Sequence, residues 1–145
     1  MSIDTASIWL KFASVAVILL GALVALASHP ALSLPTVWLT DLVFLPFDGA
    51  QQIAAEETRL FLAISGGVMV GWGVMMWLIA TRLLPADPSL ARLLFIEGTL
   101  AWYLVDTTGS FLAGGHINMV LNTGLMLMIV YPAWSLGRVA RPAGA

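Results

Sequence analysis

Four apolar stretches, each long enough to cross a membrane as a helix, constrain the fold of this chain more than any other feature. They cover residues 8–27, 60–84, 90–113 and 117–136. A helix of about 20 apolar residues crosses a hydrocarbon core of roughly 30 Å. The sequence therefore predicts an all-α, polytopic integral membrane protein, a four-helix bundle in which residues 1–145 form a single transmembrane domain.

The composition supports this class of protein. The chain is 60% hydrophobic and only 10% charged, whereas soluble domains average about 25% charged residues. A short chain also leaves much of its surface exposed, so it could not hide this much apolar area from water. The net charge of −2 gives no reason to expect nucleic acid as a partner. We expect membrane lipids as partners, and a homo-oligomer or a larger membrane complex as the assembly.

The basic residues predict the orientation of the four helices. If all four stretches span the membrane, five basic residues fall on one side and only Arg59 falls on the other. The five are Lys11, Arg82, Arg92, Arg138 and Arg141. Because Lys and Arg are retained on the cytoplasmic side, both termini are predicted to be cytoplasmic.

The first outer loop contains a further helical pattern. Pro35 is a suitable first residue for a helix, and the apolar residues of "PTVWLTDLVFLPF" recur at helical spacing. This predicts a short interfacial helix in the loop. Asp48 and Gln51 resemble a capping box, which predicts that a second helix begins there and continues into the second span.

The polar residues of the chain concentrate around the turn between spans three and four. "TLAWYLVDTTGSFLAGGHINMVLNTG", residues 99–124, carries Asp106, Ser110, His116, Asn118 and Asn122. Gly114 and Gly115 permit a tight turn between two helices. In such a hairpin, Asp106 should lie opposite Asn122 or Thr123, and Ser110 opposite Asn118 or Met119.

Two interpretations of this polar stretch remain open from sequence alone. Interhelical hydrogen bonds hold membrane helices together, so the residues are predicted to act as structural contacts. An acid within a membrane span is also a candidate proton site or ligand anchor. Trp102 lies one turn before Asp106, where it packs between helices or stacks on a flat ligand.

Glu97 is the second acid of span three, and it should face away from Asp106 because nine residues separate them. We expect it to form an ion pair at the cytoplasmic end, with Arg92 as the main candidate partner and Arg82 and Arg138 as further ones. His29 and His116 fall near the outer boundary without the spacing of metal ligands, so no metal site is predicted. No catalytic motif occurs, and no catalytic residue is assigned.

Glycines of the second span, "SGGVMVGWG", include the small-xxx-small pair Gly67 and Gly71, with Gly66 and Gly73 beside them. Small residues allow membrane helices to approach closely. The pattern predicts close packing, either within the chain or against another subunit.

The arrangement of spans two to four resembles the small four-helix bacterial inner-membrane proteins of the DoxX-like type. The resemblance rests on the entry segment "EETRLF", the glycine-rich second span, and a third span that ends with an acid near a glycine turn. It covers about two thirds of the chain. It implies a four-helix bundle and a link to membrane redox or stress physiology, and it assigns no functional residue.

The function expected from these observations is non-enzymatic. The chain is predicted to be an accessory or assembly subunit, or a protein that binds an apolar molecule such as a lipid or a quinone, with no other cofactor. A small proton-linked transporter or channel that uses Asp106 is the alternative. A membrane enzyme acting on a lipid substrate is the third.

Overall fold

The computed structural model describes residues 1–136, and this part of the chain contains helices and no strand. The predicted all-α class is confirmed. Five helices of more than ten residues follow one another along the chain, and the predicted helical stretches agree with them to within a few residues. They are α1 (Ile3–Leu26), α2 (Leu34–Phe44), α3 (Glu56–Ala86), α4 (Pro88–Leu112) and α5 (His116–Leu136).

Three of these helices, α1, α3 and α5, are long and apolar enough to cross a membrane. The 25-residue helix α4 is long enough but is not one of the three. It carries the charged residues Arg92, Glu97 and Asp106 and a series of hydroxyl residues, which lower its mean hydropathy. The predicted third span is thus a helix, but it is the least apolar of the four long ones.

Helix α1 packs closely along α3 because three glycines bring the backbones together. A Cβ atom on Gly66 would collide with the backbone nitrogen of Ala25, and one on Gly73 would lie 2.7 Å from Ile18 Cγ1. Gly21 of α1 is equally confined. By contrast, a Cβ atom on Gly67 would meet no neighbouring atom within 4 Å, and Gly71 is equally open. The structure therefore divides the glycines of α3 into a packed set and an open set.

The main core lies where α1, the end of α3, the first half of α4 and α5 meet. Leu10, Val17, Leu84 and Ile129 are fully buried there. Helix α1 also packs against α5, and α4 packs mainly against α5. Within α3, residues Ile79–Leu83 form a π-helical segment.

The segment between α2 and α3 differs from the expectation. Asp48 Oδ1 accepts a hydrogen bond from the Ala50 N–H at 3.0 Å, but no helix begins there; α3 begins at Glu56. Gly49 has a φ of 76°, which ordinary side chains disfavour and which directs the chain out of a helical path. The Asp41 carboxylate holds this turn by accepting from the Gly49 N–H at 2.9 Å. The capping-box interpretation was therefore wrong.

Candidate functional site

The turn between α4 and α5 sets the register of the two helices. Gly114 adopts a φ of 81°, in the left-handed region that favours glycine. The Gly115 N–H then donates to the Ser110 carbonyl at 2.8 Å, which closes the end of α4. Gly115 is buried beside Val43 of α2. The two helices consequently leave the turn side by side and antiparallel.

Asp106 lies at the centre of a polar cluster between α4 and α5. Its Oδ1 atom accepts hydrogen bonds from Asn122 Nδ2 at 2.6 Å, Asn118 Nδ2 at 3.2 Å and Ser110 Oγ at 3.2 Å. Asn118 and Asn122 are four residues apart and therefore share one face of α5. Bonds to a charged acceptor are shorter and stronger than neutral ones. The arrangement thus compensates part of the cost of placing a carboxylate between two apolar helices.

The cluster extends beyond the carboxylate through two hydroxyl groups. Asn118 Nδ2 also donates to Ser110 Oγ at 2.8 Å, so this hydroxyl accepts from one residue and donates to Asp106. Asn122 Nδ2 reaches Thr107 Oγ1 at 3.4 Å. Asn122 is 6% exposed, which makes it the most enclosed member of the cluster. The cluster is therefore a continuous network rather than a set of separate pairs.

The second carboxylate oxygen of Asp106 has a different environment. All three donors converge on Oδ1, while Oδ2 accepts no hydrogen bond from any residue within 1–136. Asp106 is partly exposed, and Oδ2 is not among the enclosed polar atoms. A carboxyl oxygen that receives no hydrogen bond from the described residues is thus accessible at the side of the α4–α5 pair.

Two aromatic side chains of α4 lie within about one helical turn of Asp106 along the chain. Trp102 lies one turn before Asp106 on α4 and contacts Trp72 of α3, with the ring centroids 5.3 Å apart and the planes inclined by 39°. Tyr103 and Thr123 share a hydrogen bond of 3.0 Å between α4 and α5. Of the two partners considered for Asp106, the structure therefore selects Asn122, and Thr123 pairs with Tyr103 instead.

Three other residues named from the sequence do not join the cluster. His116 is exposed at the start of α5. Its ring is perpendicular to that of Phe111, and the two ring centroids are 6.3 Å apart. Glu97 and Arg92 do not form the expected ion pair, because residues five apart on a helix point in different directions. The Arg92 guanidinium lies over the Trp134 ring at 5.3 Å, and its Nε is buried without a hydrogen-bond partner among residues 1–136. Arg138, another candidate partner of Glu97, lies outside the described residues, as does Arg141.

Three polar residues in defined contacts were not among the candidates that the sequence pattern indicated. Thr107 and Tyr103 belong to the α4–α5 contact. Asp41 is 2% exposed and keeps its Oδ1 atom without a partner among residues 1–136. The available signal for Asp41 was its position as the one charged residue of α2.

The part of the chain that the structure describes contains no group of three or more His, Cys, Asp or Glu residues that could hold a metal ion. No protein-family model, curated protein or solved structure matches the chain. The three apolar helices are compatible with an integral membrane protein.

Proposed function

We propose that the chain is a non-enzymatic membrane protein with four spans that binds an amphipathic molecule at Asp106. The observation that carries this proposal is the unequal use of the carboxylate. Oδ1 is occupied by three donors, and Oδ2 is accessible and accepts from none of the described residues. The network fixes the position of the acid, so the acceptor is oriented before any ligand arrives.

The chemistry of the acceptor defines the ligand class. A carboxylate only accepts hydrogen bonds, so the ligand has to donate one from a hydroxyl, a phenol or an amine. Trp102 lies four residues before Asp106 on α4, so its pair with Trp72 offers aromatic area on the same helix face for the rest of the molecule. A lipid hydroxyl and the reduced form of a quinone both meet these requirements. An oxidised quinone has only acceptor oxygens and should bind more weakly.

The proposed location is a bacterial inner membrane with both termini in the cytoplasm. Lys11, Arg82 and Arg92 lie near the end where α1 and α4 begin and α3 terminates, and Arg59 lies near the opposite end. This distribution supports the orientation by the retention of basic residues in the cytoplasm. In this topology α4 is a fourth span beside α1, α3 and α5, and its polar cluster around Asp106 is turned toward α5.

The alternative functions have less support from the cluster. A proton-linked transporter needs successive groups that change protonation, but the hydrogen-bond partners of Asp106 are amides and a hydroxyl. An enzyme that used Ser110 as a nucleophile would need a base, and the hydroxyl contacts only Asp106 and Asn118 among the described side chains.

A binding experiment tests the proposal. The protein is reconstituted in lipid nanodiscs and titrated with a short-chain quinol and with the corresponding quinone, and tryptophan fluorescence is recorded. We expect quinol to quench the fluorescence and Asp106→Asn to weaken its binding by about five- to tenfold, because bonds to a charged acceptor are stronger. Asp4→Asn, the same change at an exposed position of α1, is the matched control. Equal binding of quinol and quinone, or unchanged binding in Asp106→Asn, would contradict the proposal.

A further inference from the structure

Glu97 occupies an unusual position on α4. It is exposed, and the leucines that share its face are exposed as well: Leu93 is 50% and Leu104 is 64% accessible. If α4 spans the membrane, as the proposed function requires, this acid points into the lipid. Ionisable residues in membrane spans almost always face a protein interior or pair with another group. Among residues 1–136, no side chain forms a hydrogen bond or an ion pair with Glu97, which is exposed.

Lys11 of α1 is a cation that lies on a different side of the protein from Glu97. It lies eight residues after Ile3 on α1, and Glu97 lies nine residues after Pro88 on α4. At 1.5 Å per residue, both are about 12 to 14 Å from the helix ends at which α1 and α4 begin. These two ends are on the same side, because α1 and α3 are antiparallel and α4 follows α3 directly. The two opposite charges therefore lie at equal depth.

An apolar groove begins one turn after Lys11 on α1. Val15 and Ile18 of α1, with Val74 and Trp77 of α3, line an apolar groove of about 300 Å³. Lys11 is four residues before Val15 and seven before Ile18, so it shares their face of α1 at one end of the groove. On α4, Leu104 is seven residues after Glu97 and shares its face. On both the exposed face of α4 and the α1–α3 groove, a charged residue is thus followed by apolar residues in the same direction along the helix axis.

Lys11 and Glu97 belong to different faces of one chain. Ser7 lies one turn before Lys11 on the same face, and its hydroxyl donates to the Ala80 carbonyl of α3 at 3.2 Å, so Lys11 is on the α3 side of α1. Glu97 is on the side of α4 that faces away from α5, the main packing partner of α4. Their pairing consequently requires two chains.

We propose that copies of this chain assemble in the membrane through the exposed face of α4 and the α1–α3 groove of the next copy. Glu97 pairs with Lys11 of the neighbour, and Leu104 enters the apolar groove. The surfaces are different, so the contact is head-to-tail and closes into a ring or continues as a chain. A two-fold contact between α4 helices would instead place two acids side by side, which electrostatic repulsion opposes.

Disulfide cross-linking tests this assembly directly, because the natural chain has no cysteine. Lys11→Cys and Glu97→Cys chains that carry different affinity tags are co-expressed and oxidised in intact membranes. We expect a dimer that contains both tags, and little dimer when either variant is expressed alone. Leu127→Cys, on the exposed face of α5, replaces Glu97→Cys in the matched control. Dimers of Glu97→Cys with itself, or no mixed dimer between inserted chains, would overturn the proposal.

Charge exchange supplies a second test that does not depend on thiol geometry. Lys11→Glu and Glu97→Lys should each weaken association by about tenfold or more, as measured by single-molecule photobleaching in nanodiscs, because a close charge pair is lost and like charges meet. The double variant should recover association, since the pair is re-formed with opposite polarity. Quinol binding at Asp106 is measured in parallel, so failure of assembly and failure of the binding site are distinguished. Equal association in all four chains would refute the charge pair.

Discussion

The contact between Asp106 and Asn122 gives the sharpest test of how α4 and α5 are held together. Asn122→Leu removes the shortest of the three bonds to Asp106 Oδ1, at 2.6 Å, from a residue that is only 6% exposed. Interhelical polar contacts in membrane proteins average about 0.6 kcal/mol and reach roughly 1.7 kcal/mol. The charged acceptor and the burial of the donor place this bond near the upper end. We expect Asn122→Leu to lower the free energy of unfolding by about 1.5 kcal/mol.

The double variant separates a direct contact from two independent effects. Asp106→Leu alone leaves the buried Asn122 amide with the distant Thr107 hydroxyl, and it should also cost about 1.5 kcal/mol. With both residues changed to Leu, no buried group in this pair lacks a partner. Asn118 and Ser110 keep their mutual bond of 2.8 Å. The double variant should therefore lose less free energy of unfolding than the sum of the two single losses. The difference should be about 1 kcal/mol or more.

Reversible unfolding in mixed micelles, monitored by circular dichroism, measures all four free energies. Leu127→Ala, on a residue that is 55% exposed on α5, serves as the control and should change stability little. If the two losses at Asp106 and Asn122 add to within about 0.3 kcal/mol, the residues do not interact energetically. The network would then be incidental to stability, and the reasoning from its short bond would be refuted.

Three further changes test other parts of the structure. Gly66→Ala should cost about 1 to 3 kcal/mol in micelle unfolding, because its Cβ meets backbone atoms of α1, whereas Gly67→Ala next to it should be nearly neutral; equal losses would contradict the packing. Asp41→Ala should cost about 1.5 to 3 kcal/mol by removing the charged acceptor of the Gly49 N–H, measured in the same way, and an unchanged stability would show that the turn does not need it. The pKa of Asp87 lies below its usual value of 3.8, chiefly because a backbone N–H at the start of α4 donates to it. The contribution of the Asp87 carboxylate to stability is therefore present above that usual value and is lost as the pH falls through its lower pKa in the folded state. The stability difference between the natural chain and Asp87→Asn should then shrink on acidification below about pH 4. A constant difference would contradict this.

The hairpin of α4 and α5 was predictable because the sequence contains its determinants close together. Gly114 and Gly115 specify a tight turn, and a tight turn fixes which residues face each other across two helices. The opposition of Asp106 to Asn122 and of Ser110 to Asn118 followed from that register alone. The register did not predict that all donors converge on one carboxylate oxygen. That convergence depends on side-chain rotamers and on helix rotations of a fraction of a turn.

Contacts between residues distant in sequence were less predictable. The glycines of α3 predicted close packing, but not which of them take part in it. The position of α1 encloses Gly66 and Gly73 and leaves Gly67 and Gly71 open. Arg92 had several potential partners at its end of the protein, and in the structure its guanidinium forms a cation–π contact with Trp134. Such choices depend on the three-dimensional arrangement of helices, which no local pattern encodes.

Helix α4 explains why so apolar a chain concentrates its polar residues in one segment. Its two acids lie on opposite faces: Asp106 is turned toward the amides of α5, and Glu97 toward the surroundings. Two amides of α5 and the Ser110 hydroxyl of α4 already donate to the first acid, so if α4 spans the membrane, as proposed, it is best accommodated together with α5. The second acid has no such compensation within the described chain. In the proposed topology, α4 is therefore most stable when a neighbour covers its outer face, and the proposed neighbour is another copy, because Lys11 of α1 lies at a matching depth.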